Sequence, residues 1–151
     1  MSVLKRLALA CAMFFGFAFG AFAQQATVLC FEAEDGELAG GFIVVQDTLA
    51  SGESLILVPN GTGNFNGATA TYVFVIPTTD DYYLFGRTLA PNSNDDSFLV
   101  TVGSDDKRTW TLPKSSQLTW RRLDRKFAFS AGDTVAVVFE NREDGTGLDR
   151  I

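Results

Sequence analysis

Short runs in which apolar and polar residues alternate recur between turn signals along most of the chain, and none sustains a 3.6-residue period. The alternation predicts strands over residues 27–34, 42–46, 55–58, 70–76, 81–88, 97–103, 108–112, 119–129 and 134–140, with one more starting near Asp149. Within 70–76, Tyr72, Phe74 and Ile76 fall on one face and Val73 and Val75 on the other. The intervening stretches Asn60-Gly61-Thr62-Gly63-Asn64, Pro77-Thr78-Thr79-Asp80, Pro91-Asn92-Ser93-Asn94-Asp95 and Ala131-Gly132-Asp133 carry turn chemistry. About nine or ten strands at this spacing predict an all-β fold, an antiparallel β-sandwich of the jelly-roll kind. Phe74, Phe85, Phe98, Phe127, Phe129 and Phe139 fall where such strands need inward side chains, and are expected to pack the core.

The first residues follow a different pattern. Lys5 and Arg6 precede an apolar run from Leu7 to Phe19, and Ala21-Phe22-Ala23 forms an A-x-A cleavage site before Gln24. The run is too short for a transmembrane anchor. Residues 1–23 are therefore expected to be a signal peptide and 24–151 one module, secreted or periplasmic, with no membrane insertion. Without the leader the chain keeps ten basic against eighteen acidic residues, a net charge of −8. That surface argues against nucleic acid or anionic lipid as a partner. Cys30 is then the one remaining cysteine, which rules out an internal disulfide, and its expected role is small and apolar. Histidine is absent, which excludes Ser-His-Asp and Cys-His catalysis and His-ligated zinc.

Carboxylates then become the main carriers of chemistry. Glu32 and Glu34 alternate with Phe31 and Ala33 on the expected first strand, and Asp149 opens the last one after turns at Asp144-Gly145 and Gly147. If the first and last strands are neighbours, three carboxylates meet. Like charges that close are stable in ionised form only with a cation between them. A structural calcium ion is the expectation; the alternative is three solvated charges on edge strands.

Several segments in order carry a resemblance: Phe31-Glu32-Ala33-Glu34, Ala50-Ser51-Gly52-Glu53-Ser54, Tyr82-Tyr83-Leu84-Phe85-Gly86-Arg87, Asp96-Ser97-Phe98, Trp120 with residues 127–132, and Arg142-Glu143-Asp144-Gly145 with Leu148-Asp149-Arg150-Ile151. Together they resemble carbohydrate-binding modules of families six and thirty-five, which are galactose-binding-like β-sandwiches. The resemblance implies a non-catalytic domain that binds polysaccharide or oligosaccharide and holds a structural calcium near the chain ends. Glu32, Glu34 and Asp149 would match the metal ligands, with backbone carbonyls around Ser51-Gly52 or near Asp149 completing the shell. Such modules usually run several residues past the position matching Ile151 and are commonly attached to a catalytic partner, so the resemblance implies either a fragment of a longer chain or a clipped last strand, with a catalytic partner module outside this chain.

Sugar sites combine an exposed aromatic platform with planar hydrogen-bonding groups. Trp110, beside Lys107 and Arg108, is the candidate platform, with a half-buried sheet position as the alternative; Trp120 is expected to pack. Asn92, Asn94, Asp95 and Asp96 cluster in one loop, and Asn141 and Arg142 begin another. Arg87, with Tyr83 on the same strand face, could pair with an acidic sugar. Ordinary turn chemistry is the alternative for each loop residue. The pairs Asp95-Asp96 and Glu143-Asp144 admit a small glycoside-active enzyme, disfavoured because adjacent strand residues point to opposite faces and a chain this small has little room for a cleft. An adhesive or structural cell-surface sandwich that binds protein is the further alternative, and a large exposed apolar patch would favour it.

Overall fold

The computed structural model describes residues 26–151, so the signal-peptide expectation lies outside the described residues. Ten strands form: β1 (Glu37–Ala39), β2 (Ile43–Gln46), β3 (Ser54–Leu57), β4 (Thr69–Val75), β5 (Asp80–Ala90), β6 (Ser97–Val102), β7 (Arg108–Thr111), β8 (Ser115–Phe129), β9 (Thr134–Asn141) and β10 (Gly147–Arg150). They make two antiparallel five-stranded sheets, in the orders β1-β4-β9-β6-β7 and β2-β3-β10-β5-β8. The expected β-sandwich is thus present. Among the described residues no helix is long and apolar enough to cross a membrane.

The core is built on Phe139. Its ring meets Phe98 edge-on at 5.6 Å and Tyr72 edge-on at 6.0 Å, with Trp110 tilted against it at 6.1 Å. Each such pair adds about 0.5–1.5 kcal/mol beyond its area burial. Trp110 is only 5% exposed. It fits because Gly86 lies opposite, where a Cβ would stand 3.1 Å from the indole. Phe85 does not follow the core expectation. The alternation along β5 is unbroken here, with Gly86 and Thr88 buried and Tyr83 and Phe85 exposed, so Phe85 stands on the outer face beside Tyr83.

The first expected strand is also different. Residues 26–31 belong to no named strand, Glu32 makes one isolated bridge to Arg150, and Ala33–Asp35 is a 3₁₀ turn. Tyr72 explains the turn. Its hydroxyl donates to the Ala33 carbonyl at 2.8 Å, and its ring covers Gly36 so closely that a Cβ there would lie 2.5 Å away. The chain must bend over that ring before β1 can pair with β4.

Candidate functional site

Two polar constellations stand out, one at the chain ends and one in the loops at one end of the sandwich. At the chain ends, Phe31 and Ile151 exchange backbone hydrogen bonds of 2.9 and 3.0 Å, so the two ends of the described chain lie side by side. Glu32, Glu34 and Asp149 collect around the Ser51-Gly52 turn. The Ser51 N–H donates to Asp149 Oδ1 at 2.8 Å and the Ser51 hydroxyl to Glu32 Oε1 at 3.0 Å. Glu34 Oε1 lies 3.1 Å from where a Gly52 Cβ would be, and Gly52 itself has φ +61°, a left-handed conformation suited to glycine. Burial pushes the Glu34 carboxyl above its ordinary value against a hydrogen bond from its own backbone, and the charges of Glu32, Asp35 and Asp149 push the same way.

Arginines supply counter-charge here. Arg87 Nη1 donates to Asp149 Oδ2 at 2.7 Å while Nη2 donates to the Leu49 carbonyl at 3.0 Å, and Arg150 Nε pairs with Glu32 Oε1 at 3.2 Å. With Asp149 engaged on both oxygens, no three acidic, histidine or cysteine side chains among the described residues form a ready metal cage. The donor set still suits a hard cation in kind. Glu32 Oε2 and Glu34 Oε2 are buried with no hydrogen-bond partner, a costly arrangement for carboxylates. Asp149 retains lone pairs beyond the two donors it accepts.

The loop constellation lies where β3, β5 and β9 end and β4, β6 and β10 begin. Asp95, buried, accepts from Asn60 Nδ2 at 2.9 Å and Asn92 Nδ2 at 2.5 Å, tying two loops together. Asp144 Oδ2 accepts the Gly63 N–H at 2.8 Å, and its own N–H donates to Asn64 Oδ1 at 3.1 Å. Asn141 is buried beneath, with Nδ2 donating to the Gly63 carbonyl at 3.2 Å. These bonds fix the 58–68 loop and lift Phe65 out of it. Phe65 is 62% exposed and sits at φ +53°, a left-handed conformation that non-glycine residues rarely adopt. Its N–H donates to the Arg142 carbonyl at 3.2 Å, and the Arg142 guanidinium stands 5.7 Å from its ring centre.

Arg142 in turn donates to Glu143 Oε1 and to Ser97 Oγ, while Glu143 Oε2 accepts from the Ser97 hydroxyl at 2.6 Å and the Asp96 N–H at 3.0 Å. Burial and the neighbouring Glu143 charge push the Asp96 carboxyl up, with Arg142 and Lys114 opposing. For Glu143 burial alone would act upward, but the bonds from Ser97 and Asp96 and the charge of Arg142 outweigh it and hold the carboxyl below its ordinary value. NMR titration of the side-chain carboxyls should therefore place Asp96 above 3.8 and Glu143 below 4.5. By linkage, Glu143 contributes stability that is present above about pH 4.5 and disappears as pH falls through its folded value. Asp96 acts oppositely, costing stability as pH rises through its raised value. Ordinary values for both carboxyls would break the claimed coupling.

The structure places Arg142 beside Phe65 and Asp96 near Arg142, with Asn92 and Asn94 in the loop that Asp95 ties to the Phe65 loop, and Asn141 as support below rather than as a ligand contact. It does not bring the other expected residues there. Trp110 is a core residue and cannot be a platform, whereas Trp120, expected to pack, is 42% exposed on the outer sheet face. Tyr83 lies on that same outer face with Arg122 5.1 Å over its ring, away from the loops. Arg87 is held by Asp149 and Leu49, so its guanidinium is not open to an acidic sugar. Of the paired acids, Asp95 and Asp144 are buried loop ties. Phe65 and Ser97 are not among the expected site residues, and Glu143 enters there only as half of a disfavoured catalytic pair. The available signal was one aromatic residue in the polar run Asn64-Phe65-Asn66-Gly67.

Neither a protein-family model nor a curated protein matches this sequence. Solved structures do. A family 35 carbohydrate-binding module from Clostridium thermocellum superposes with a TM-score of 0.61 at 15% identity over 83% of this chain and 95% of that one. A Podospora anserina β-(1,4)-mannanase carrying a family 35 module gives 0.65 at 20% identity, over 81% of this chain and 26% of the enzyme. An exo-β-1,3-galactanase from Phanerochaete chrysosporium gives 0.63 at 17% identity over 83% of this chain; the match spans only 29% of that enzyme. The polypeptide thus has the galactose-binding-like β-sandwich fold of family 35 carbohydrate-binding modules.

Proposed function

We propose that this protein is a secreted or periplasmic, non-catalytic carbohydrate-binding module that takes a polysaccharide or oligosaccharide at the loop end of its sandwich. The observation that carries the reading is Phe65, an exposed ring held in a left-handed conformation by its bond to Arg142. The ring offers its face to the C–H side of a sugar, while Arg142 beside it, and Asp96 near Arg142, would meet hydroxyls. Two carboxylates, Asp96 and Glu143, lie beside a guanidinium already paired to one of them, which favours a neutral glycan over a uronate. Glu143 is occupied by the Asp96 N–H, the Ser97 hydroxyl and Arg142, and the Asp96 carboxyl bonds to that same Glu143 rather than facing it across a cleft, so binding without turnover is the function proposed. Because such folds occur within larger glycan-active enzymes, a catalytic partner module is part of the proposal.

Affinity electrophoresis against galactan, mannan, xylan and polygalacturonate tests this reading. Retardation by at least one neutral glycan, with no release of reducing ends, is expected. A folded protein that no glycan retards would shift the assignment to the adhesive alternative. Release of reducing ends would make it an enzyme.

Calcium belongs to the same proposal. Glu32, Glu34 and Asp149 would hold it, and the ion would neutralise the two orphaned carboxylate oxygens. A ligand present at a hundred times its Kd stabilises by about 2.7 kcal/mol, so EDTA should lower Tm by about 5–10 °C and added calcium restore it. Superimposable melting curves with and without chelator would remove the ion from the account.

A further inference from the structure

Two asparagine–glycine pairs occur in the sequence, Asn60-Gly61 and Asn66-Gly67, and both lie in the 58–68 loop, on either side of Phe65. Such a pair can modify itself, because a glycine carries no Cβ to keep its backbone nitrogen from the preceding side chain. The fold holds the two pairs differently. Asn60 Nδ2 donates to the buried Asp95 carboxylate at 2.9 Å, and the Thr62 N–H donates to the Pro59 carbonyl at 3.1 Å, closing a turn over Asn60 and Gly61. A charge-assisted bond therefore anchors that amide to a neighbouring loop. Asn66 is exposed, and its Oδ1 accepts the Ala68 N–H at 3.0 Å, an Asx turn that folds the side chain back along its own backbone past Gly67. Gly67 has φ +79° and open space where a Cβ would be, and its N–H has no acceptor among the described residues. Asn66 Nδ2 lies over Gly41, where a Cβ would be only 3.0 Å away.

We propose that Asn66 is a site of spontaneous deamidation, and that Asn60, with the same following residue, is held back from it by Asp95. The Gly67 nitrogen, losing its proton to water, forms a bond to Asn66 Cγ. The Cγ–Nδ2 bond then breaks, and Nδ2 leaves with an added proton as ammonia. The Ala68 N–H already sits on Oδ1, where negative charge develops during the attack. Water opens the resulting five-membered imide at either carbonyl. Opening at Cγ leaves an ordinary aspartate; opening at the main-chain carbonyl leaves isoaspartate, with the chain running through the side chain and an extra backbone carbon between Phe65 and Gly67. That stretch is pinned at both ends, by the Phe65 N–H on the Arg142 carbonyl at 3.2 Å and the Asn141 N–H on the Ala68 carbonyl at 2.9 Å. Ala68 is fully buried and Phe65 is exposed, so the Phe65 end gives way and isoaspartate at position 66 frees the ring from Arg142.

Incubating the intact protein at mildly alkaline pH, with peptide mass mapping and isoaspartate-specific methylation over time, tests this. Asn66 should convert at least about tenfold faster than Asn60, which must first give up a bond to a charged group. In denaturant the gap should close, because the Asp95 anchor and the Asx turn are both lost. Amide exchange at Phe65 should quicken in the aged protein but not in fresh Asn66→Asp, which carries the new charge without the extra carbon. None of these readouts involves a glycan, so the outcome is independent of the binding proposal. Equal rates at the two asparagines in the folded protein, faster conversion at Asn60, or conversion of neither would overturn the inference. So would a gap that persists in denaturant, since flanking residues rather than Asp95 would then set it.

Discussion

Replacing Phe65 with alanine is expected to weaken glycan binding at least about 30-fold, the loss of about 2 kcal/mol that defines a hot-spot side chain. The expectation rests on how the ring is presented. Ordinary surface phenylalanines find partial cover, whereas this one is held outward by a main-chain bond to Arg142 in a conformation that carries backbone strain. Alanine inherits the same φ, and the ring touches little of the core, so melting should move by no more than about 0.5 kcal/mol. Phe65→Gly separates the two effects further, because glycine accepts φ +53° without strain. It should keep or slightly raise stability and still lose the glycan. Phe65→Trp should retain binding. Unchanged retardation of the Phe65→Ala protein on a glycan that retards wild type would remove the loop end as the site.

Much of this architecture was legible from alternation alone, because antiparallel strands with one face buried write their burial into every second residue. Strands β4 to β9 fall close to the expected ranges for that reason. The failures came where a long-range contact overrode local pattern. Residues 32–35 alternate like a strand, but Tyr72, distant in sequence, holds the Ala33 carbonyl and bends the chain into a 3₁₀ turn. Trp110 and Trp120 exchanged roles because burial depended on the partner rather than on the flanks. Gly86 leaves a space that only a ring opposite can fill, and Trp120 pairs with Arg87 on the outward side. Phe65 was hidden because turn-forming residues around it read as loop chemistry, and nothing local shows that three loops are tied together beneath it. At the chain ends, acidic residues far apart in sequence do lie around one turn, while nothing in the local sequence marks Arg87 and Arg150 as the cations that pair with them.

Those arginines set up the second large effect, at Asp149. Its side chain is fully buried, with Oδ1 taking the Ser51 N–H and Oδ2 the Arg87 guanidinium. Asp149→Ala would leave Arg87 without its carboxylate and Ser51 without its acceptor, and breaking a buried ion pair costs about 3–5 kcal/mol. Arg87 is partly exposed, so water can recover some of that loss, and the lower end of the range is expected. Chemical denaturation of Asp149→Ala, Arg87→Met and the double variant measures the coupling; the double should cost less than the sum of the singles. The same variants separate arginine from calcium as the counter-charge. If Asp149 ligates the ion, Asp149→Ala should also abolish the response to EDTA, whereas Arg87→Met should keep or enlarge it, since the freed carboxylate oxygen adds to the unpartnered oxygens of Glu32 and Glu34. An Asp149→Ala protein that still loses as much Tm to EDTA as wild type would leave Arg87 and the Ser51 N–H as the partners of that carboxylate and move the metal to the two glutamates.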